Sequence, residues 1–344
     1  MIRIDGSFGE GGGQILRTSL TLSLIKGQPF EIYNIRARRK NPGLQPQHLK
    51  CIEAATRISK GKANGDKKGS LHLIFEPGEV IPGDYHFEIG TAGSTSLVLQ
   101  TIFLPLALAK IPSRVTISGG THVSWSPVHH FLSLHWLPYL AKIGFNLKLK
   151  MDRAGFYPQG DGRISAEIFP AENLKPIEMV NRGDLKTITG ISAVANLDYS
   201  IAERQRSQAL KRLEQKGYDA TIAIENMPSR YKNTMMLLLA DFEQGSGCFT
   251  ALGAIGKRAE QVADEAVDDL FEYLDSSGCI DKYLADQLVV PLAIIPGKSL
   301  FSTAKITNHF LTNISVVKQF LNIQSEVQGQ VGEHGIVKIS GGLH

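Results

Sequence analysis

The chain has 344 residues, of which 42% are hydrophobic and 20% are charged, a composition typical of a globular protein long enough for two domains. Its formal net charge of +4 does not indicate a nucleic-acid-binding protein, and three widely separated cysteines without a CxxC pair indicate neither a disulfide framework nor a zinc site. The first residues lack the apolar stretch of a signal peptide, and no apolar run approaches the length of a membrane span. We therefore expect a cytoplasmic protein that does not contact the membrane.

The first elements in chain order are predicted to be a strand, a glycine-rich loop and a helix. The letters MIRID predict the strand, residues 6–13 the loop, and residues 14–25 a helix with a broad apolar side. Gly27 stands where helices commonly end. The letters PFEIYNIR then predict a second strand and residues 45–59 a second helix, and the basic loop that joins them contains RARRK.

The same order of elements recurs further along the chain. GTAGSTSLVLQTIFLPLALAK predicts another glycine-rich turn and apolar helix, and the strand SRVTISGGTH and the helix HHFLSLHWLPYLAKIG follow it. A third copy uses DQLVVPLAI, SLFSTAKI and HFLTNISVVKQFL. Repeats of this kind predict a large domain of stacked α/β modules.

The stretch from residue 182 to residue 276 has a different character. It contains two amphipathic helix patterns, SIAERQRSQALKRLEQKG and GKRAEQVADEAVDDLFEYLDSSG, with the strand patterns ATIAIENM and TMMLLLADFE between them. We predict a small α/β domain at 182–276, inserted between the second and third copies, while residues 1–181 and 277–344 form the large domain. The alternative is one continuous domain that these helices cover.

The glycine-rich stretch SFGEGGGQILRTS, residues 7–19, is a candidate phosphate site. Glycine lets backbone N–H groups approach a ligand closely, and the N-terminus of the following helix favours an anion. The stretch is not a Walker A loop, because no lysine follows the glycines, and GxGxxG fails because Gln14 occupies the last position. The carboxylate of Glu10 could bind Mg²⁺ or Mn²⁺ through oxygen. The alternative is a tight turn with a surface glutamate.

A nucleophile candidate stands near the C-terminus, in KITNHFLTNISVVKQFLN. Apolar residues recur at helical spacing between positions 310 and 321, and Thr307 or Asn308 is a suitable N-cap. His309 then lies in the first turn and points away from the apolar stripe. Because a helix N-terminus disfavours a cation, we expect a lowered pKa and a neutral imidazole, which is a competent nucleophile toward phosphorus. The alternative is a structural histidine at a helix start.

Seven blocks taken together resemble one known family. They are GSFGEGGGQILRTSLTLS, IRARRKNPGLQPQHLKCIEAA, GSTSLVLQT, GGTHVSWSP, GFYPQGDG, YLADQLVVPLA and TNHFLTNISVVKQFL, in this order over nearly the whole chain. Together they are similar to the RNA 3′-terminal phosphate cyclase family. The resemblance implies an α/β (α+β) fold of three repeats, each a four-stranded sheet with two helices, and a smaller α/β domain inserted before the last repeat.

The resemblance also implies a reaction that uses ATP and an RNA with a 3′-terminal phosphate. A histidine attacks the α-phosphorus of ATP and releases pyrophosphate, and the AMP then passes from the histidine to the RNA 3′-phosphate. The adjacent 2′-hydroxyl attacks the activated phosphorus, a 2′,3′-cyclic phosphate forms and AMP leaves. Adenylylation supplies the leaving group that a phosphate monoester lacks, and positioning with charge neutralisation does most of the catalysis.

Carried onto this chain, the resemblance implies a site assembled from distant segments. His309 resembles the nucleophile, Glu10 the acid that engages Mg²⁺ or Mn²⁺, and Arg17 an arginine suited to phosphates. The residues expected at the phosphates of ATP or of the RNA end are Arg36, Arg39, Gln47 and His48, with Gln14 as a further pocket residue. The residues that resemble the adenosine and ATP pocket are Gln100, Pro127, Tyr283, Asp286 and Gln287. Packing by Tyr283 or Pro127 and a helix cap by Asp286 are the alternatives.

One block departs from the family pattern. In RAGFYPQGDGRI, Asp161 stands between Gly160 and Gly162 where the family usually carries three glycines, and Ala154 stands where a histidine or a similar residue is frequent. Because Asp161 has a Cβ, we expect an altered turn or an additional acid that faces solvent.

Two other functions compete with the cyclase hypothesis. The family has a cyclase-like branch that works in ribosome assembly as a non-catalytic RNA-binding protein, but that branch lacks the nucleophilic histidine, and His309 is present here. An enolpyruvyl transferase of related repeated architecture would need no adenylylated residue and would not explain TNHFLTN. The resemblance therefore favours an ATP-dependent cyclase and leaves the oligomeric state open.

Overall fold

The computed structural model describes residues 1–343 and contains four four-stranded sheets. The first module consists of β1 (Ile2–Asp5), α1 (Gly13–Lys26), β2 (Phe30–Tyr33), α2 (Pro46–Ser59), β3 (Lys62–Asn64) and β4 (Leu73–Glu76). Its sheet has the order β1-β2-β4-β3, in which β1 and β2 are parallel and the other neighbours antiparallel. Gly27 ends α1 with a left-handed φ of 62°, as its position in the sequence predicts.

The second module repeats this plan. It consists of β5 (Asp84–Glu88), α3 (Thr95–Ala107), β6 (Ser113–Gly119), α4 (His129–Phe131), a π-helical turn (Leu132–Trp136), α5 (Leu137–Lys142), β7 (Leu147–Arg153) and β8 (Gly162–Ile168). The sheet order is β5-β6-β8-β7. The helix predicted from HHFLSLHWLPYLAKIG is thus divided at a π-helical turn next to Pro138, which has no N–H to donate to the preceding turn.

The third module is interrupted by the unit with the fourth sheet. After β9 (Glu178–Met179) the chain forms β10 (Leu185–Ala195), α6 (Tyr199–Gln215), β11 (Thr221–Asn226), β12 (Asn233–Phe242), β13 (Ser246–Leu252) and α7 (Ala259–Leu274). It then completes the module with α8 (Lys282–Ile294), β14 (Gly297–Thr303), α9 (Asn308–Phe320), β15 (Gln324–Gln328) and β16 (Gly335–Gly341). The two sheet orders are β11-β10-β12-β13 and β9-β14-β16-β15.

Three sheets therefore share one strand order, and the predicted α/β fold with repeated modules is confirmed. The insertion lies inside the third module, because β9 pairs in parallel with β14 and precedes the interruption. The sequence pattern predicts the insertion between the second and third copies, because β9 has only two residues and so shows no periodic pattern. The unit of β10–β13, α6 and α7 has its own hydrophobic cluster, and we propose that it forms the separate domain predicted at 182–276.

Helix α1 lies at the centre of the large hydrophobic core. It packs against α2, α3 and α9, and its apolar side chains, among them Leu16, Leu20 and Leu24, are buried. A helix that is apolar on most sides is stable only where neighbours cover it. This packing brings the N-terminal ends of α1 and α9 together. Within residues 1–343, no helix has the length and apolar character needed to cross a lipid bilayer.

A buried hydrogen bond between a histidine and a carboxylate joins the second module to α8. Nε2 of His135 lies 2.6 Å from Oδ2 of Asp281, and both side chains are fully enclosed. The other oxygen of Asp281 accepts hydrogen bonds from the backbone N–H groups of Tyr283 and Leu284, so this carboxylate is the N-cap of α8. The N–H of Cys248 in β13 also donates to Asp281. One carboxylate therefore connects the second module, the inserted unit and α8.

Candidate active site

The glycine-rich loop brings the backbone against neighbouring side chains. Gly9 and Gly11 have left-handed φ values of 55° and 61°. A Cβ added to Gly13, the first residue of α1, would lie 2.3 Å from Nε2 of His48 and 2.9 Å from Nη1 of Arg17. The loop therefore needs glycine both for its turns and for the close approach at the N-terminus of α1.

His309 occupies the first turn of α9, as the sequence predicts. Thr307 is the N-cap, and its hydroxyl accepts a hydrogen bond of 3.0 Å from the N–H of Phe310. Nδ1 of His309 lies 2.9 Å from Oδ2 of Asp286 on α8, and the side chain of Asp286 is only 12% exposed. Because Nδ1 is engaged by the carboxylate, Nε2 is the ring nitrogen left for chemistry.

Asp286 on α8 is held by two neighbouring helices, α1 and α9. Nε2 of Gln14 on α1 donates 2.7 Å to its Oδ1, and Nδ2 of Asn313 on α9 donates 3.0 Å to its backbone oxygen. The amide of Asn313 is itself oriented by the hydroxyl of Thr18, which donates to Oδ1 at 2.8 Å. A carboxylate with these partners has a defined orientation toward His309.

The pKa of His309 is raised above its usual value, so the predicted lowering is wrong. Burial alone lowers this pKa, but the charge of Asp286 and the hydrogen bond to it, with a smaller contribution from Glu10, outweigh burial. The prediction considered only the helix N-terminus on which His309 lies. The carboxylate on a neighbouring helix has the larger effect on the ring.

Arg17 is a desolvated cation. Its guanidinium makes no hydrogen bond or ion pair with any residue of the part that the structure describes, 1–343. Burial lowers the pKa of Arg17, and Asp286 and Glu10 are among the charges that act against this lowering. A desolvated arginine beside backbone N–H groups at a helix N-terminus is a site that an anion would complete.

Glu10 pairs with Arg39. Its Oε1 lies 2.6 Å from Nη2 of Arg39, and the same guanidinium nitrogen donates 3.0 Å to the backbone oxygen of Glu10. The N–H of Glu10 donates 3.2 Å to the hydroxyl of Thr312 on α9. These bonds connect the glycine-rich loop, the basic loop and the helix that carries His309.

His48 is a buried, neutral hydrogen-bond donor. Its Nδ1 accepts the N–H of Gln45 at 3.0 Å, so the ring proton is on Nε2, the nitrogen that faces Gly13. Burial, together with the charges of Arg17 and Arg36, lowers the pKa of His48 to about 3. The ring therefore remains neutral and keeps its proton available over the whole physiological range.

Arg36 and Gln47 bind backbone groups near this site. Nη1 of Arg36 donates to the carbonyl oxygens of Asn41 and Gly43 at 2.7 and 3.0 Å, which holds the basic loop in shape. Oε1 of Gln47 accepts the N–H of Ser94 at 3.3 Å, at the start of α3. In this structure Arg36 therefore stabilises its own loop, and Gln47 connects the first two modules.

The predicted adenosine residues are only partly joined by contacts. Nε2 of Gln100 donates 2.6 Å to Oε1 of Gln287, which follows Asp286 on α8. Tyr283, one turn earlier on α8, is 44% exposed, and its hydroxyl donates 3.3 Å to Asp269. Pro127 lies in the loop between β6 and α4, and within residues 1–343 no hydrogen bond joins that residue to the other candidates.

Sequence reasoning did not single out Thr18, Thr312 and Asn313, and it assigned Asp286 to the nucleotide pocket without connecting it to His309. Thr312 and Asn313 follow His309 by three and four positions, the spacing at which residues share one helix face. Polar side chains on a buried helix face could have indicated that Thr312 and Asn313 belong to the site. Nothing in the local sequence of α8 indicates that Asp286 meets His309.

The residues present fit a metal ion held jointly with a substrate. Within residues 1–343 no three histidine, cysteine or acidic side chains are grouped closely enough to hold a metal by themselves. Glu10 offers one carboxylate, and Mg²⁺ is commonly bound by one or two carboxylates together with substrate phosphates. The buried Oε1 of Gln14 has no hydrogen-bond partner among residues 1–343, so this site has an acceptor to offer a ligand.

The departure at Asp161 produces an ordered turn. Asp161 adopts a left-handed φ of 58°, and Arg153 donates to its backbone oxygen at 2.6 Å and to its Oδ1 at 2.7 Å. Arg230 of the inserted unit lies 3.5 Å from its other carboxylate oxygen. The expected additional acid is therefore part of an ion-pair network between the second module and the inserted unit.

A repeat-built α/β fold with a histidine–carboxylate pair beside an unpaired arginine defines a candidate enzyme of phosphate chemistry. The family model for RNA 3′-terminal phosphate cyclase matches residues 8–327. The chain is 42% identical over 327 residues to the RNA 3′-terminal phosphate cyclase of Koribacter versatilis, which covers 95% of this chain and 92% of the relative. The corresponding protein of Staphylothermus marinus is 42% identical over 350 residues, which cover 99% of this chain and 98% of the relative. That of Pyrococcus furiosus is 41% identical over 339 residues, which cover 98% of each chain. The chain belongs to the RNA 3′-terminal phosphate cyclase family, and it is an enzyme of the ligase class.

Proposed function

We propose that this chain uses ATP to convert an RNA 3′-terminal phosphate into a 2′,3′-cyclic phosphate through AMP bound covalently to His309. The observation that carries the proposal is the engagement of Nδ1 of His309 by Asp286, which leaves Nε2 free beside the unpaired guanidinium of Arg17. A nucleophile, the group that orients it and a cation for the developing charge thus lie together. This is the arrangement that nucleophilic catalysis at phosphorus requires.

In the first step, Nε2 of neutral His309 attacks the α-phosphorus of ATP. An N–P bond forms, the P–O bond to pyrophosphate breaks, and pyrophosphate leaves with the electron pair. The imidazole then carries a positive charge, with its proton still on Nδ1. The carboxylate of Asp286, 2.9 Å from Nδ1, balances that charge.

Arg17 and His48 supply donors for the phosphate oxygens. Arg17 contributes a full charge in a desolvated position, and His48 contributes a neutral N–H from Nε2. Backbone N–H groups at the start of α1 are further donors for the phosphate oxygens, because the nearby glycines let a ligand approach. Glu10 would hold a divalent cation together with the triphosphate, and that cation would neutralise charge on the leaving pyrophosphate.

In the next steps the AMP moves to RNA and then departs. An oxygen of the RNA 3′-phosphate attacks the phosphorus of the His309 adduct, so an O–P bond forms, the N–P bond breaks and the imidazole becomes neutral again. The 2′-hydroxyl then attacks the 3′-phosphorus, AMP leaves with the electron pair and the hydroxyl proton is released. We assign the RNA phosphate to the basic side of the site, with Arg36, Arg39 and Gln47.

The nucleoside of ATP would lie along α8. Gln100 and Gln287 already bond one another and would present their remaining amide groups to the ribose, while exposed Tyr283 would stack on the base opposite Pro127. This assignment follows the family resemblance together with the placement of three of these residues around α8. Because all three cysteines are free and buried, a reducing compartment such as the cytoplasm suits the protein.

The test is self-adenylylation with α-labelled ATP and Mg²⁺ or Mn²⁺. We expect label that is acid-labile and alkali-stable, as a phosphoramidate is, and we expect His309→Ala to abolish it. The matched control is His86→Ala, which removes a histidine that also lies near an acid, 3.8 Å from Asp84, but on an exposed strand. Full labelling of His309→Ala would disprove the nucleophile. Wild-type protein that binds RNA without ever becoming labelled would instead support the non-catalytic cyclase-like function.

A further inference from the structure

Two large aromatic side chains stand in solvent on neighbouring loops. Trp125, in the loop between β6 and α4, is 100% exposed and has a left-handed φ of 63°. Tyr157, in the turn between β7 and β8, is 79% exposed. A fully exposed tryptophan loses the hydrophobic gain of burial, and a left-handed backbone at a bulky residue is strained. Such an arrangement is typical of a contact surface for a ligand.

Backbone hydrogen bonds place both aromatic residues at one end of the second module. The N–H groups of Thr121 and His122 donate to the carbonyl oxygen of Gly155 at 2.9 and 3.0 Å. Residues 122 and 156 form a parallel bridge, so the two segments run in the same direction from that point. Trp125 and Tyr157 both follow the bridge, and they therefore belong to the same end of the sheet.

This end of the second module is connected to α2, a helix of the candidate phosphate site. The N–H of Gly120, at the start of the loop that carries Trp125, donates 2.8 Å to the oxygen of Gly93. The next residue after Gly93, Ser94, donates to the side chain of Gln47, which precedes His48 in α2. The aromatic loops are thus connected, through one backbone contact and one side-chain contact, to the helix that presents His48.

The charges around the aromatic pair suit a polyanion. Arg153 and Arg230 share the single carboxylate of Asp161, which leaves one positive charge in excess, and Arg230 remains 68% exposed. Lys232 is exposed on the same loop as Arg230. Cationic side chains beside exposed aromatic rings are the groups with which proteins bind single-stranded nucleic acid without sequence preference.

We propose that Trp125 and Tyr157 form a stacking platform for the bases of the RNA nucleotides that precede the 3′-terminal phosphate. This inference rests on the proposed function and names a further part of its substrate site. Bases would stack on the two rings, Arg230 and Lys232 would face the phosphodiesters, and the terminal phosphate would enter the basic side of the site. Stacking accepts any base because every base has a π-face.

Fluorescence can observe Trp125 directly. The chain has two tryptophans, and the other, Trp136, is only 2% exposed. Titration with a single-stranded oligouridylate that ends in a 3′-phosphate should quench the emission of Trp125, and Trp125→Ala should remove the quenching. RNA that binds the wild type in a filter assay without changing the emission would overturn the proposal. Quenching by ATP but not by RNA would assign Trp125 to the nucleotide pocket and would also overturn it.

Kinetics on RNAs of different length give the second test. We expect Trp125→Ala and Tyr157→Ala each to raise KM for a long 3′-phosphorylated RNA by about 10-fold or more at similar kcat, and Trp125→Phe to restore much of the loss. The matched control is Tyr199→Ala, which removes a 52% exposed aromatic residue at the start of α6. An unchanged KM in both platform variants would disprove the platform.

The proposed function and the stacking platform can be disproved independently of one another. If wild-type protein does not label itself with AMP, the proposed function fails whatever the fluorescence shows. If labelling succeeds while the platform variants bind and cyclise long RNA like the wild type, only the platform fails. A defect of the same size on a minimal substrate, a mononucleotide with a 3′-phosphate, would also contradict the platform, because such a substrate has no preceding bases to stack.

Discussion

Nδ1 of His309 lies 2.9 Å from Oδ2 of Asp286, although the two residues belong to different helices, α9 and α8. Gln14 and Asn313 hold the carboxylate from two further directions. The ring therefore presents Nε2 to a substrate and carries a raised pKa. Both properties affect how the rate of the proposed adenylylation should depend on pH.

Asp286→Asn is predicted to shift that pH dependence. Protonated His309 cannot attack, so wild-type labelling should rise with pH through the raised pKa of His309. Without the carboxylate the pKa falls, and the acid limb should move to lower pH. The maximal rate should fall as well, because no charge balances the imidazolium adduct. Initial rates of labelling across the range in which histidines titrate measure both effects. An acid limb that stays in place would contradict the role of Asp286.

Arg17→Gln is predicted to reduce activity without reducing the stability of the fold. Loss of a charge aimed at the reacting phosphate should reduce adenylylation by roughly 10²–10³-fold. Because Arg17 is desolvated and makes no hydrogen bond or ion pair within the described residues, its removal should leave the urea midpoint unchanged or slightly higher. Arg57→Gln, on the exposed side of α2, is the control and should retain activity. A variant that loses stability and activity together would indicate a structural arginine.

Gly13→Ala is predicted to damage the candidate phosphate site by steric conflict. The new Cβ would lie 2.3 Å from Nε2 of His48 and 2.9 Å from Arg17, so one of these side chains must move. Labelling should fall strongly while helix content stays the same, since alanine is a better helix former than glycine. Gly83→Ala is the control, because its Cβ would meet nothing closer than 3.6 Å. Equal activity of the two variants would show that the site tolerates the shift.

Arg36→Ala is predicted to impair the use of 3′-phosphate RNA more than self-adenylylation. Arg36 holds the carbonyl oxygens of Asn41 and Gly43 in the basic loop, and the loop carries the cations that we assign to RNA. The measurement compares labelling of the protein with transfer of AMP to RNA. Equal loss of both steps would place this arginine at ATP, or would show that its loop supports the whole site.

Buried histidines are predicted to make the fold sensitive to acid. Burial lowers the pKa of His48 to about 3 and of His129 to about 4, and it lowers that of His122 well below the usual value. The unfolded chain binds these protons near the ordinary histidine pKa, so stability is present above that pH and is lost as pH falls toward the folded values. Each such group contributes a slope of about 1.4 kcal/mol per pH unit in this window. Urea unfolding at neutral and at mildly acidic pH measures the slope. His129→Gln should make it shallower, whereas exposed His86→Gln should not.

Much of the fold could be predicted from the sequence because repeats and helix patterns are local. The helices α1 and α9, the N-cap Thr307 and the left-handed Gly27 all follow from signals within a few residues. The position of the insertion could not be predicted to the residue, because β9 is recognisable only through its pairing with β14. Sheet order is likewise a property of pairing between distant segments.

The candidate site was predicted as a set of residues but not as a geometry. The direction of the pKa shift at His309 was predicted incorrectly because its cause, Asp286, lies on another helix. Arg39 was assigned to phosphates and is found on Glu10, an ion pair between two loops that no spacing rule relates. Contacts across modules depend on how helices pack, and that packing has no local signature.

The bond between the N–H of Glu10 and the hydroxyl of Thr312 has a consequence for the protein during its synthesis. The two residues are 302 positions apart, and α9 supplies both Thr312 and His309. A ribosome translates the glycine-rich loop and Arg17 long before α9 and the proposed nucleophile, His309. A nascent chain therefore has an incomplete candidate site until the module that carries α9 emerges, and the reaction that we propose cannot begin before then.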